Sequence, residues 1–379
     1  MSMGHIRRAV SRCTAGSRTA LAVWAVAAFG VAGWAGSAAA AGFDEHRAFE
    51  ARELRLANLI GEVRIEGTDG PRFEVEVAVQ GADANRERVR IETREGDRAE
   101  LVVRFPVEEK SRFVYPRMGR GSSTTFRAGD LFDEEDGLLD SILGALGARQ
   151  VRVSGKGPGL EIWADVTIKV PRQARCRVEL GVGEVTAEGV SAELTCAARS
   201  GSITARDLEG DFAADTGSGS VCVKDARGGV SVDTGSGSVE LRACRGSRIE
   251  VDTGSGEVTV EDIECERLSI DTGSGGVEAR GVRADAVAVD TGSGSVVLRL
   301  DRMGKGRFAV DTGSGSIRLG LPADASAEVM AETGSGGIDV DVRGVASIYR
   351  DHDEVAFRVG EGDAEVQLET GSGSIRVSR

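Results

Sequence analysis

Residues 230–260 read VSVDTGSGSVELRACRGSRIEVDTGSGEVTV, and this stretch holds two copies of the motif that decides the fold. The pentapeptide DTGSG begins at Asp215, Asp233, Asp252, Asp271, Asp290 and Asp311, and ETGSG begins at Glu332 and Glu369. Successive copies are separated by 18, 19, 19, 19, 21, 21 and 37 residues. A nearly constant period of this length indicates one structural unit that is stacked on itself, rather than a series of separate sites.

Apolar and polar residues alternate on both sides of each motif. Val239 and Leu241 follow one copy, while Ile249 and Val251 precede the next. A period of two is typical of β-strands with one buried face. The same alternation points Thr253 inward and the Asp before it outward. Gly-Ser-Gly is then the turn, where glycine permits positive φ and close backbone approach.

Each of these strands is too short to be stable alone, but it can pair in parallel with the same strand of the next repeat. The sequence therefore predicts an all-β protein, a parallel β-solenoid with about 19 residues per coil and stacked aliphatic side chains inside. Right-handed winding is the default for parallel crossovers. One predicted buried column contains Val221, Val239, Val258, Val277, Val296 and Ile317.

The flanking regions set the predicted domain boundaries. Residues 1–41 are predicted to be an export signal, because four arginines precede an apolar run and SAAAA offers a cleavage site; an uncleaved anchor is the alternative. Residues 42–170 alternate less regularly and are expected to form an irregular β region that caps the solenoid, with an insertion at 107–150 that includes a short helix at 138–146. Residues 171–379 contain the repeats, with an insertion at 343–360. No later segment is long and apolar enough to span a bilayer.

Three stretches carry a resemblance to a known family. The VDTGSG-SV-L units, the segment NLIGEVRIEG and the segment LPADASAEVMAETGSG resemble the bacterial exported "putative adhesin" β-strand-repeat family, a domain of unknown function. The resemblance covers about residues 50–379 apart from the insertions. It implies a parallel β-solenoid outside the cytoplasm, and it supplies no catalytic residues.

Composition and charge exclude several classes of function. A net charge of −14 repels nucleic acid, and the three histidines are too few for histidine-rich zinc sites. The string VDTGS matches the aspartic-protease active site, but that mechanism needs a single facing pair of carboxylates. Repeated coils offer no distinct constellation for cleaving polysaccharides. The sequence therefore predicts a protein that is not an enzyme and has no catalytic residues, cofactor or metal.

Stacking of the repeats predicts a column of like charges at one edge, with a spacing of about 4.8 Å. The column contains Glu179, Asp215, Asp233, Asp252, Asp271, Asp290, Asp311, Glu332 and Glu369. The favoured interpretation is that each Asp caps its own turn by accepting hydrogen bonds from the N–H groups that follow. Cations that bridge neighbouring coils are the alternative.

Five cysteines follow the predicted signal, and an odd number leaves at least one unpaired. Cys176, Cys196 and Cys244 occupy positions that predict core packing. Cys222 is expected to point outward. Cys244 and Cys265 fall near corners of adjacent coils, where a disulfide is one alternative.

The extra residues between the last two motifs give the candidate binding site. They are predicted to form a hairpin that leaves the solenoid, and the candidate partner-binding residues there are Tyr349, His352, Phe357 and Arg358. Insertions in solenoids often form the binding face, and Tyr and Arg are favoured interface anchors. The alternative is that the hairpin shields the edge of the last coils.

The predicted function is a non-enzymatic, exported interaction module of the cell surface or envelope, adhesin-like in kind. Its expected partner is an unidentified surface or envelope macromolecule, in the periplasm, at the cell surface or outside the cell. An envelope-stress or signalling accessory protein is the alternative, and a polysaccharide-active β-helix enzyme is a third hypothesis.

Overall fold

The computed structural model describes residues 42–127 and 149–379. The predicted export signal at 1–41 and the predicted helix at 138–146 lie outside these residues. Within the two ranges the protein is built from β-strands, and its only helical element is one 3-10 turn at Pro116–Met118. No helix in the described part of the chain is long and apolar enough to cross a membrane.

The strands fall into four groups along the chain. The N-terminal group is β1 (Phe43–Phe49), β2 (Glu53–Thr68), β3 (Phe73–Gln80), β4 (Arg90–Arg94) and β5 (Arg98–Arg104). The insertion group is β6 (Arg112–Val114), β7 (Ser123–Arg127), β8 (Gln150–Ser154) and β9 (Leu160–Glu161), which form a separate small sheet. The repeat group is β10 (Trp163–Pro171), β11 (Arg175–Glu188), β12 (Glu193–Ser200), β13 (Ile203–Glu209), β14 (Phe212–Ser218), β15 (Val221–Arg227), β16 (Val230–Ser236), β17 (Val239–Arg242), β18 (Arg245–Thr253), β19 (Val258–Glu261), β20 (Glu264–Thr272), β21 (Val277–Ser293), β22 (Val296–Met303), β23 (Arg307–Ser314) and β24 (Ile317–Gly320). The C-terminal group is β25 (Ala327–Thr333), β26 (Ile338–Asp341), β27 (Val345–Arg350), β28 (Glu354–Val359), β29 (Ala364–Ser372) and β30 (Ile375–Ser378).

The repeats stack as two parallel ladders whose inward side chains form one hydrophobic core. The motif ladder contains the strands that carry DTG or ETG and the earlier strands that pair in register with them, and in space it runs β5, β2, β11, β12, β14, β16, β18, β20, β21, β23, β29, β25. The trailing ladder contains the strands that follow the turn, and it runs β10, β2, β11, β13, β15, β17, β19, β21, β22, β24, β30, β26. The predicted all-β, solenoid-like fold of stacked parallel strands is therefore confirmed.

The predicted buried column is also confirmed. Val221, Val239, Val258, Val277, Val296 and Ile317 are consecutive partners in the trailing ladder and are at most 1 % exposed. The column continues to Ile375, which is fully buried. Burying a large aliphatic side chain stabilises a fold by about 1.5–3 kcal/mol, so such columns hold the coils together.

The threonine of each motif points inward, as predicted. Thr216, Thr234, Thr253, Thr272, Thr291, Thr312, Thr333 and Thr370 are all buried. Most of these hydroxyls donate a hydrogen bond to the carbonyl of the motif's last glycine in the adjacent coil, as Thr216 does to Gly201 at 3.0 Å. In the first coil, Asn58 takes the threonine position, and its Nδ2 donates to the carbonyl of Ala164 at 2.7 Å.

Of the two reasons expected for glycine in the turn, Gly254 and Gly256 show close backbone approach but not positive φ. Neither has a φ in the left-handed region. Instead, the backbones of successive turns approach so closely that a Cβ on Gly256 would lie 2.0 Å from the carbonyl oxygen of Gly237. The same close approach recurs along the stack, at Gly61, Gly183, Gly201, Gly219, Gly237, Gly256, Gly275, Gly294, Gly315, Gly373 and Gly336. Six of these glycines also have the expected positive φ, between 143° and 157°, but close approach is what the whole column has in common.

A second set of residues with positive φ lies at the corners of the coils. Asp207, Asp225, Ala243 and Asp262 have φ values between 53° and 56°, and Gly281 has 65°. Each precedes the apolar corner residue of its coil: Leu208, Ala226, Cys244, Ile263 and Val282, all buried. In these five coils one left-handed residue therefore turns the chain and places an apolar side chain in the core.

The C-terminal coils do not stack in chain order. β29 pairs on one side with β23 and on the other with β25. β30 likewise lies between β24 and β26. The last coil of the sequence is therefore inserted between two earlier ones, and β25 and β26 form the last coil in space.

The N-terminal region contains one complete coil as well as capping strands. β2 pairs in register with β11 along most of its length, from Glu53 opposite Arg175 to Glu66 opposite Glu188. Beyond β2, the motif ladder ends in the antiparallel pair β5–β4, and the trailing ladder continues through β10, β3 and β1. These strands cover the first edge of the stack.

Candidate functional site

The C-terminal insertion extends the motif ladder instead of leaving the solenoid. β27 and β28 form an antiparallel hairpin, and β28 pairs antiparallel with β25. The inward residues of β28 are buried, namely Val355, Phe357 and Val359. The hairpin therefore covers the end of the core that β25 would otherwise expose.

The four candidate partner-binding residues lie in three different settings: the outer face of the hairpin, the hydrophobic core and the hairpin turn. Tyr349 is 54 % exposed on the outer face of β27, whereas Phe357 is only 4 % exposed and belongs to the hydrophobic core. Arg358 is exposed and paired with Glu328 of β25. His352 lies in the hairpin turn, where its backbone N–H donates to the carboxylate of Asp351 at 2.7 Å. Phe357 thus stabilises the hairpin and is not accessible to a partner.

Met330 is a surface residue that the sequence analysis missed. In register it lies opposite Ala356, which in turn lies opposite Tyr349. Met330 is 47 % exposed, and among the described residues it and Tyr349 are the exposed large apolar side chains. Met330, Ala356 and Tyr349 form what we call the outer patch. The sequence did contain a signal for Met330, because the alternation along AEVMAET places this apolar residue at an outward position.

Charged residues surround the outer patch. The carboxylates of Asp351 and then Glu354 raise the pKa of Tyr349 above its usual value of 10.0. The phenol is therefore neutral at physiological pH and can donate a hydrogen bond. An apolar centre with a charged rim is the usual composition of a protein interaction surface.

A second polar cluster fixes the insertion to the first coil. Arg117 donates to both carboxylate oxygens of Asp165, at 3.1 and 3.0 Å, and lies 2.8 Å from the carboxylate of Glu62. Its guanidinium lies 5.9 Å from the ring centre of Trp163, which packs at 6.0 Å against Tyr115. Burial raises the pKa of Tyr115 to about 12. These contacts join residues far apart in sequence, so no local pattern predicted them.

The acidic column is present as a stack of exposed carboxylates in lateral register, from Asp215 through Asp311 to Glu369 and Glu332. The prediction was wrong for Glu179, which is buried and is separated from Asp215 by Ala197. Burial, and then the neighbouring carboxylates, raise the pKa of Asp233, Asp252 and Asp290. None of these three accepts a hydrogen bond from a turn N–H in the described chain, so the capping hypothesis has no support there. Across residues 42–127 and 149–379, no group of three or more His, Cys, Asp or Glu residues could hold a metal ion.

Residues 162–378, with their stacked coils and turn motifs, match the family Toastrack DUF4097. The chain belongs to this family. None of the curated proteins is detectably similar to the chain in sequence. The Toastrack domain is a domain of unknown function, so membership establishes the fold and no activity.

Two solved structures are similar to the chain. One is described as a "putative cell adhesion protein" from Clostridium sporogenes, with 10 % identity over 89 % of this chain and 99 % of that chain and a TM-score of 0.19. The other is described as a "putative adhesin" from Bacteroides fragilis, with 11 % identity over 88 % of this chain and 97 % of that chain and a TM-score of 0.29.

The cysteines in the described part of this Toastrack chain are all buried: Cys176, Cys196, Cys222, Cys244 and Cys265. Cys222, expected to point outward, is covered although it lies apart from the main core cluster. Burial raises the pKa of Cys176 to about 12 and those of Cys244 and Cys265 to about 11. Protonated, inaccessible thiols are poor nucleophiles, so these residues act as small apolar side chains.

Proposed function

We propose that this protein is a non-enzymatic, exported interaction module, and that it binds a surface or envelope macromolecule through the outer patch. The observation that carries the proposal is the position of Met330 and Tyr349 on one face of the C-terminal strands. Contiguous exposed apolar residues that are rimmed by polar residues are a common mark of interaction sites.

The setting of the outer patch supports the proposal. Two of the three strands that carry the patch, β25 and β28, pair on both sides, and the third, β27, pairs with β28, so the side chains are held on an ordered sheet. Tyrosine is enriched among residues that dominate binding energy, and methionine adapts to irregular partner surfaces. The rim carboxylates favour a partner with positive charge near its apolar contact.

The test is a binding screen of the exported protein against surface glycans, peptidoglycan and envelope proteins. A Met330→Ser/Tyr349→Ser double variant should lose at least about tenfold in affinity, because each substitution removes an exposed anchor. Ala288→Ser, on the outer face of a more distant coil, is the matched control and should bind as the wild type does. A double variant that binds normally would place the site elsewhere, and a screen without any ligand would contradict the proposed function.

Phe357→Ser separates the capping contribution of the hairpin from its binding role. Because this side chain is buried, its replacement should lower the thermal midpoint and promote aggregation, whereas the double variant of the outer patch should keep the wild-type midpoint. Equal midpoints for Phe357→Ser and the wild type would contradict the role of Phe357 in the core.

A further inference from the structure

β27 has one edge that no strand of the described chain pairs with. Its ladder partner is β28, and its opposite edge faces away from the solenoid. Three other strands end the two ladders in the same way: β4, β1 and β26. An unpaired edge exposes backbone donors and acceptors to any strand that can add to it.

The other three edges carry charges that oppose such addition. β4 reads RIETR, β1 reads FDEHRAF and β26 reads IDVD. β27 reads VASIYR and has no charge before Arg350. Natural sheets protect exposed edges with charged residues, and β27 lacks this protection along most of its length.

The segments that flank β27 carry opposite charges. Arg343 precedes the strand and is exposed, without an ion pair in the described part of the protein. The turn that follows the strand contains Asp351 and Asp353, and Glu354 is the first residue of β28. If two β27 strands pair antiparallel about residue 348, Arg343 of each copy lies beside this acidic turn of the other copy. The segment around β27 is thus complementary to itself in charge.

We propose that two copies of this chain dimerise by antiparallel pairing of their β27 strands. The pairing has twofold symmetry, so it closes on itself and cannot propagate into a filament. A register irregularity between Val345 and Ser347 limits the regular edge to its second half. The two Tyr349 side chains then share one face of the joint sheet as diagonal neighbours, about 7–8 Å apart.

This proposal is independent of the proposed function, because the backbone edge of β27 and the charges that flank it make the dimer contacts, and the complete outer patch is not required. A single strand pair buries less surface than the roughly 1,200 Å² typical of stable complexes. The dimer is therefore weak, and its population depends on protein concentration.

The test measures the mass of the full exported protein by sedimentation equilibrium over a concentration series. The wild type should shift from monomer to dimer, and Tyr349→Lys should stay monomeric because it places like charges along the paired edges. Met330→Lys is the matched control, since it is equally exposed but lies on β25, away from the edge. It should dimerise as the wild type does, even though it removes part of the outer patch. Thermal midpoints of both variants show that they are folded.

A charge exchange tests the register. Arg343→Glu should weaken dimerisation roughly 2- to 30-fold, from the loss of two exposed ion pairs, and adding Asp353→Arg should restore it. A wild type that stays monomeric at every concentration overturns the proposal. Binding of a foreign peptide to the edge of β27 would not rescue it, because the proposed partner is a second copy of this chain. Dimers of Tyr349→Lys with wild-type affinity also overturn it.

Discussion

Thr312 and Gly294 are joined across two successive coils: the hydroxyl of Thr312 donates a hydrogen bond to the carbonyl oxygen of Gly294 at 2.9 Å. The same contact joins Thr216 to Gly201, Thr234 to Gly219, Thr253 to Gly237, Thr291 to Gly275, Thr333 to Gly373 and Thr370 to Gly315. Thr272 is the exception, because its buried hydroxyl has no hydrogen-bond partner. Seven threonines of the stack therefore make this hydrogen bond, and Thr272 occupies the same position without it.

Thr312→Val should destabilise the protein by about 1–2 kcal/mol, because it removes a buried hydrogen bond and leaves a carbonyl without that donor. Thr272→Val should be neutral or stabilising, since it replaces an unpartnered buried hydroxyl with a methyl group. Urea unfolding of both variants measures the difference. If both variants lower the urea midpoint equally, the threonine hydrogen bonds between coils do not contribute to stability.

Gly275 and Gly276 are neighbours with opposite steric surroundings. A Cβ on Gly275 would lie 1.8 Å from the carbonyl oxygen of Gly256, whereas a Cβ on Gly276 would have its nearest contact at 3.6 Å. Gly275→Ala should therefore separate two coils and lower the thermal midpoint strongly, and Gly276→Ala should change it little. If the two variants melt alike, close backbone approach is not what selects glycine in the turn.

Ala243 has a φ of 54°, which is unfavourable for a residue with a side chain. Ala243→Gly should stabilise the protein by up to about 1 kcal/mol, because glycine adopts this conformation without strain. The control is Ala288→Gly, on a regular exposed strand, which should destabilise by about 0.5–1 kcal/mol. Denaturant midpoints measure both effects, and a loss of stability in Ala243→Gly would contradict the left-handed corner.

The buried columns could be predicted because the sequence repeats them. A period of two fixes which side chains of each strand point inward, and the turn motif fixes where the coils align. The order of the C-terminal coils could not be predicted. The motifs at Glu332 and Glu369 are equivalent, so their spacing does not distinguish a coil added at the end from a coil inserted between two others.

The candidate site was predicted only in part, although the sequence contained more information. Alternation along EVAFRV places Phe357 and Arg358 on opposite faces, so both could not belong to one surface. Met330 shares a face with Tyr349 only because β28 pairs with both strands. A long-range pairing of this kind leaves no periodic signal. The left-handed corner was missed for a related reason, since Asp and Ala at this position do not show the glycine signature of positive φ.

The acidic column predicts an unusual pH dependence. Burial and the neighbouring Asp233 and Asp271 raise the folded-state pKa of Asp252 above 3.8, so the native state binds its proton more tightly than the unfolded state does. By linkage, ionisation of Asp252 opposes folding at neutral pH. This penalty declines as the pH falls through the raised pKa and is absent below the ordinary value.

Asp252→Asn should therefore be more stable than the wild type at neutral pH, and the gap should close as the pH falls toward 3.8. Added salt should narrow the same gap at neutral pH, because it screens the repulsion between neighbouring carboxylates. Asp324→Asn, at an exposed site outside the column, is the matched control and should show no such gap. Urea midpoints across the pH range measure the effect. A less stable Asp252→Asn at neutral pH would contradict net repulsion and favour the hypothesis that each Asp caps its own turn.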